Sequence, residues 1–69
     1  MTLEELEKKV KKLSMRATDA KMNLHDLAEE LPIDFEKIPE TAEATYNVYK
    51  DLTAARKELK AAKKAAAEV

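Results

Sequence analysis

The apolar residues in the first half of the chain fall at Leu3, Leu6, Val10, Leu13, Ala17, Ala20, Leu24, Leu27 and Leu31. The intervals alternate between three and four without a break, which is a heptad seam on a helix and not the period-two pattern of a strand. A second seam with the same alternation runs Ile38, Thr41, Thr45, Val48, Leu52, Ala55, Leu59, Ala62, Ala66 and Val69. Between them lies Leu31-Pro32-Ile33-Asp34-Phe35-Glu36-Lys37-Ile38-Pro39, where both prolines of the chain stand. Each proline drives the residue before it out of the helical region. The pattern therefore predicts one domain over residues 1–69: a helix over 2–31, a turn over 32–38 and a helix over 39–67. Thr2 and Glu5 have capping-box spacing at the first helix start, and Pro39 suits the first turn of the second.

A short connection makes the helices antiparallel neighbours, so facing seam residues have numbers that total about 69. Leu3 meets Ala66, Leu6 meets Ala62, Val10 meets Leu59 and Leu13 meets Ala55. Ala17 then meets Leu52, Ala20 meets Val48, and Leu24 meets Thr45. Most layers set a large residue against a small one, which allows close approach at near-constant volume. Phe35, with Ile33 and Ile38, is expected to plug the core at the turn. The fold expected is all-α, an antiparallel two-helix hairpin of coiled-coil type. One narrow seam hardly offsets the entropy of ordering a chain this short. Two hairpins are therefore expected to form a homodimeric four-helix bundle, with a tetramer as the further step. Its oligomer interface would be drawn from Val10, Leu13, Ala17, Ala20, Leu24, Val48, Leu52, Ala55 and Leu59. Met15, Met22, Tyr46 and Tyr49 lie off the seams and offer a second interface. The plain alternative for the methionines is the outer flank of the dimer core, and for the tyrosines edge packing with the hydroxyls in water.

Composition narrows the function. The chain has no Gly, Cys or Trp and is 39% charged. Without Cys there is no disulfide framework and no thiolate metal site; without Gly there is no phosphate-cradling loop. No apolar run approaches the length of a membrane span and the amino terminus is polar, so a cytoplasmic protein without signal peptide or membrane contact is expected. The net charge of -1 conceals a polarity. Residues 1–16 and 53–69 hold ten Lys and Arg against five Asp and Glu; residues 17–52 hold three against nine. Opposite ends of that kind favour a dimer in which each turn lies beside the partner's termini.

His25 is the only imidazole, in Met22-Asn23-Leu24-His25-Asp26-Leu27-Ala28-Glu29. His25 and Glu29 stand one helical turn apart and can chelate a divalent transition metal, with Asp26 as a further ligand or as hydrogen-bond partner of the imidazole. Two ligands make a weak site, so a partner subunit or Glu40 and Glu43 of the second helix would have to complete it. The plain alternative is a surface histidine with acidic neighbours. No nucleophile–base–orienting set exists, since the histidine has no Cys and no evident Ser beside it, and no enzymatic activity is expected. A second function class is nucleic-acid binding through the lysine-rich end, where Lys8, Lys11, Lys12 and Arg16 would contact phosphates. Its weakness is a slightly negative chain and a basic end without an aromatic residue to stack on bases. A bare assembly module is the third.

The stretch His25-Asp26-Leu27-Ala28-Glu29, then Leu31-Pro32, Phe35, Ile38-Pro39, Tyr46 and Tyr49, resembles the small Rop-like proteins of nitrogen-fixation gene clusters, described as NifX-associated, one branch of which is labelled a metalloprotein. The resemblance covers nearly the whole chain and is most specific over residues 22–39. It implies a Rop-like four-helix bundle, a setting near nitrogenase-maturation proteins, and a transition metal whose first candidate ligand is His25, with Glu29 and Asp26 beside it.

Overall fold

The computed structural model describes residues 2–67. Two long helices, α1 (Leu3–Glu29) and α2 (Ile38–Ala67), are joined by a turn and a short 3-10 segment, Phe35–Lys37. They pack as an antiparallel hairpin 55 × 15 × 15 Å in extent. Thr2 caps α1: its side-chain oxygen accepts from the Glu5 amide at 3.1 Å, and its carbonyl accepts from Leu6 N–H at 3.0 Å. Only that half of the expected capping box is made.

The predicted seams are the packed surface. Leu6, Ala17, Leu52 and Ala55 are the buried hydrophobics among the described residues. Val10, Leu13, Ala20, Leu24, Leu27, Thr41, Thr45, Val48, Leu59 and Ala62 are half-buried. Contacts between the helices fit the expected register to within a turn. Lys9 Nζ lies 4.0 Å from Glu58 on one flank and Lys63 Nζ 3.9 Å from Glu7 on the other. Near the turn the Thr45 hydroxyl donates to the Thr41 carbonyl at 2.8 Å, with the Ala20 carbonyl at 3.4 Å. That local bond is why a polar residue stands in an apolar seam without loss. The seam ends are open: Leu3, Leu31 and Ile38 are exposed, as is Ala66. Val69, the last predicted seam position, lies outside the described residues.

The turn departs from expectation. α1 ends at Glu29 and not at residue 31, because Pro32 bars Leu31 from helical torsions. Glu30 closes the helix by donating its N–H to the Asp26 carbonyl at 3.2 Å. The chain then turns through Ile33 N–H to the Glu30 carbonyl at 3.0 Å and Phe35 N–H to the Pro32 carbonyl at 3.3 Å. The Leu31-Pro32 peptide is cis. Asp34 has φ 56 and ψ 29, a left-handed conformation that a short polar side chain tolerates better than most. That reversal starts the 3-10 segment, which runs straight into α2 with Pro39 in its first turn. It also overturns the expected plug. Ile33 is 64% exposed, Phe35 61% and Ile38 39%, so the turn carries these side chains outward instead of down onto the seam.

Candidate metal centre

A helix places residues three and four apart on one face, and α1 does this for His25 and Glu29. His25 Nε2 lies 3.4 Å from Glu29 Oε1. The other ring nitrogen, Nδ1, lies 3.7 Å from Asp26 Oδ1. The imidazole is thus divided between two carboxylates, one at each nitrogen. One donor atom from each of His25, Asp26 and Glu29 can be chosen so that all lie within 4.8 Å of one another. The three side chains are about two-thirds exposed, so the cluster is open to solvent.

The cluster sits on the last turns of α1, where the helix dipole is negative and cations are favoured. α1 has no basic residue in its last turn. It carries Asp26, Glu29 and the capping Glu30 there instead. Three carboxylates at the negative end of a helix repel one another and the dipole, and a bound cation relieves both. This arrangement violates a local rule of helix design, which is where functional groups are commonly found.

The structure separates other residues that the sequence grouped. Glu40 and Glu43 do not join the His25 cluster. His25 and Glu29 lie off the seam, turned away from α2, so a metal held there would have to draw further ligands from water or another molecule. Asp26 and Glu40 do line a common polar groove beside the turn, together with Asn23, Glu30, Asp34 and Lys37. Tyr46 and Tyr49 line an open groove on α2 with Lys50, Thr53, Ala54 and Lys57, and neither Met15 nor Met22 lines it. Met15 and Met22 stand 64% and 59% exposed on α1. Ala17, Leu52 and Ala55 are already consumed by the hairpin's own seam, whereas Val10, Leu13, Ala20, Leu24, Val48 and Leu59 keep part of their surface open. At the lysine-rich end, Lys8 lies 3.9 Å from Glu4. Among the described residues, no helix is long and apolar enough to cross a membrane.

Comparison with known proteins gives the chain relatives along most of its length. It is 52% identical over 58 residues to a UPF0437 protein of Azorhizobium caulinodans, covering 84% of each chain. It is 44% identical over 59 residues to a UPF0437 protein of a Nostoc species, covering 86% of this chain and 83% of the other. A UPF0437 protein of Frankia alni, described as lying in the nifX-nifW intergenic region, is 41% identical over 46 residues, 67% of this chain and 56% of its own. No solved structure matches. The two seams, the proline-marked turn between them and a family match over residues 1–64 agree: the chain belongs to the Rop-like family.

Proposed function

We propose that the chain is a non-enzymatic accessory protein of nitrogen fixation that works as a homodimeric four-helix bundle alongside nitrogenase-maturation proteins and holds a divalent transition-metal ion at His25 and Glu29. The observation that carries the metal reading is the divided imidazole. Metal bonds of about 2.0–2.2 Å to imidazole and carboxylate set two donors roughly 3–3.5 Å apart, and Nε2 and Glu29 Oε1 are 3.4 Å apart. Asp26 is then on the right side of the ring to accept from Nδ1–H, which holds the tautomer and raises the basicity of Nε2. The acidic end of α1 supplies the attraction. The Frankia relative's place between nifX and nifW supports the nitrogen-fixation setting.

The dimer reading rests on burial. No large side chain is fully buried among the described residues, and six of the nine expected interface residues remain half-open. A second hairpin laid along the first would cover them, and the opposite charges of the two ends favour the antiparallel arrangement.

Titration of metal-free protein with Cu(II), Zn(II) and Co(II) tests the site. The order expected for nitrogen and oxygen ligands puts Cu(II) tightest. His25→Ala should abolish saturable binding, and Asp26→Asn should weaken it about 10- to 100-fold. Equal binding by wild type and His25→Ala would remove the metal reading. Sedimentation at micromolar concentration should give a dimer, and a folded monomer would remove the bundle.

A further inference from the structure

The hairpin carries its most exposed apolar cluster at the tip of the turn, apart from the seams. Ile33 is 64% exposed and Phe35 61%, with Leu31 at 42% and Ile38 at 39% beside them. Large apolar side chains grouped in this way mark interaction sites, whereas single exposed ones are ordinary. The tip is also acidic. Between residues 29 and 40, Glu29, Glu30, Asp34, Glu36 and Glu40 stand against Lys37 alone. Lys37 lies 3.9 Å from Asp34, and Glu29 faces His25. Among the described residues, no Lys or Arg forms an ion pair with Glu30, Glu36 or Glu40.

We infer that this tip is a docking site for a basic amphipathic segment of another protein, with Phe35 and Ile33 as its apolar anchors and Glu30, Glu36 and Glu40 as its charged rim. Charge complementarity selects the partner. An exposed apolar tip flanked along the chain by carboxylates without an ion-pair partner attracts a segment that presents both an apolar stripe and lysines or arginines, and repels an acidic one. An aromatic at the centre with charge at the edge is the usual anatomy of an interface. A second copy of this chain is the competing occupant. Hairpins lying side by side cover flanks along the 55 Å axis. Leu31 and Ile38 end the seams and would be covered in part by such a neighbour. In the antiparallel dimer the partner's lysine-rich end would lie beside the acidic residues of the turn, but Ile33 and Phe35 belong to neither seam, so the packing of seam on seam does not account for their apolar surface. This inference is independent of the metal at His25 and goes beyond the proposed function.

The probe is a synthetic 18-residue helical peptide with leucines on one face and lysines on the other, carrying a fluorescent label. Its binding to the full chain is followed by polarisation in low and moderate salt. The same peptide with every Lys replaced by Glu is the charge control. The expected result is saturable binding of the lysine peptide that weakens steeply with salt, and none of the glutamate peptide. Ile33→Ser with Phe35→Ser should raise the dissociation constant at least about tenfold, as expected for loss of anchors at an interface centre. Both side chains are exposed, so helicity should not change, and Ala61→Ser, exposed on α2 away from the turn, should bind as wild type does. Binding of the lysine peptide that is unaffected by the double serine variant, or equal binding of the two peptides, overturns the proposal. Conversion of a dimer to a monomer by the double variant in sedimentation also overturns it, because the tip would then belong to a second copy.

Discussion

The two ends of the hairpin spend their charges differently. At the open end the ion pairs run within α1 and across the helices: Lys8 with Glu4, Lys9 with Glu58, Lys63 with Glu7. At the turn end the carboxylates outnumber their partners: among the described residues Lys37 pairs with Asp34, and the His25 ring stands between Asp26 and Glu29. Apolar surface divides in the same direction. Leu6, near the open end, is buried, while Ile33 and Phe35 at the turn are among the most exposed residues of their type. The open end thus uses its side chains to hold the two helices together, and the turn end leaves its side chains available to other molecules. A region whose charges and apolar groups are unsatisfied within the chain is the part where binding is to be sought.

The largest expected effect breaks this comparison if it fails. Leu52 is 3% exposed and packs in the narrow middle of the seam, opposite the small residue Ala17 at 2%. Leu52→Ala removes the large member of that layer and leaves a void lined by side chains that cannot close on it, at a cost of about 2–4 kcal/mol. Phe35→Ala deletes more atoms, yet should cost no more than about 0.5 kcal/mol, because the ring is 61% exposed. Urea unfolding of the two variants at one protein concentration measures the difference. Equal losses would mean that the turn is packed in solution and that its apolar residues are structural.

Much of this was legible in the residue spacing. The 3-4 alternation is a direct image of helical geometry, so both seams and their antiparallel register can be read from the spacing alone. The proximity of His25 and Glu29 follows from the same geometry. The turn was less legible, because its path hangs on one torsion: Asp34 adopts positive φ, and nothing in the letter Asp distinguishes that from the ordinary range. With that sign unknown, an apolar Phe35 between two seams reads as a plug. The assignment of each imidazole nitrogen to its own carboxylate was likewise hidden, since it depends on side-chain rotamers. The exclusion of Glu40 and Glu43 could have been read, however. His25 and Glu29 stand on the outer face of α1, away from the seam and from the flanks that Glu7 and Lys9 occupy, and a residue there does not meet the helix that the seam faces.

A smaller effect bears on the electrostatics of the turn end. Glu30 caps α1 at its negative pole, with Asp26 and Glu29 within the preceding turn. Replacing that carboxylate by an ammonium reverses the sign of its interaction with the dipole and with its neighbours, so Glu30→Lys should stabilise the hairpin by about 0.3–1 kcal/mol. The same change should weaken divalent metal binding at His25, because it lowers the negative potential without touching a ligand. Thermal unfolding and metal titration of one variant read both. A variant that gains stability and loses metal affinity shows that the chain gives up helix stability for a cation-binding surface. Destabilisation would show that Glu30 has a structural role in the turn that outweighs its charge.

The smallest effect lies at the other end. Lys9 and Glu58 are 4.0 Å apart and half-exposed, and Glu7 and Lys63 are 3.9 Å apart in similar surroundings. Water screens both pairs, and holding two long side chains in one geometry costs entropy. Coupling energies from double-mutant cycles with Lys9→Met and Glu58→Gln, and with Lys63→Met and Glu7→Gln, should therefore fall between about 0.2 and 0.5 kcal/mol each. They should shrink further in half-molar salt, where the Debye length is only about 4 Å. These pairs lie on opposite flanks of one seam, so if a second hairpin covers only one flank, that pair alone is removed from water and should show the larger coupling and the weaker salt dependence. Two equal, salt-sensitive couplings would instead place both flanks in solvent, and a dimer would then have to be sought at the outer faces of Met15 and Met22 on α1 or Tyr46 on α2.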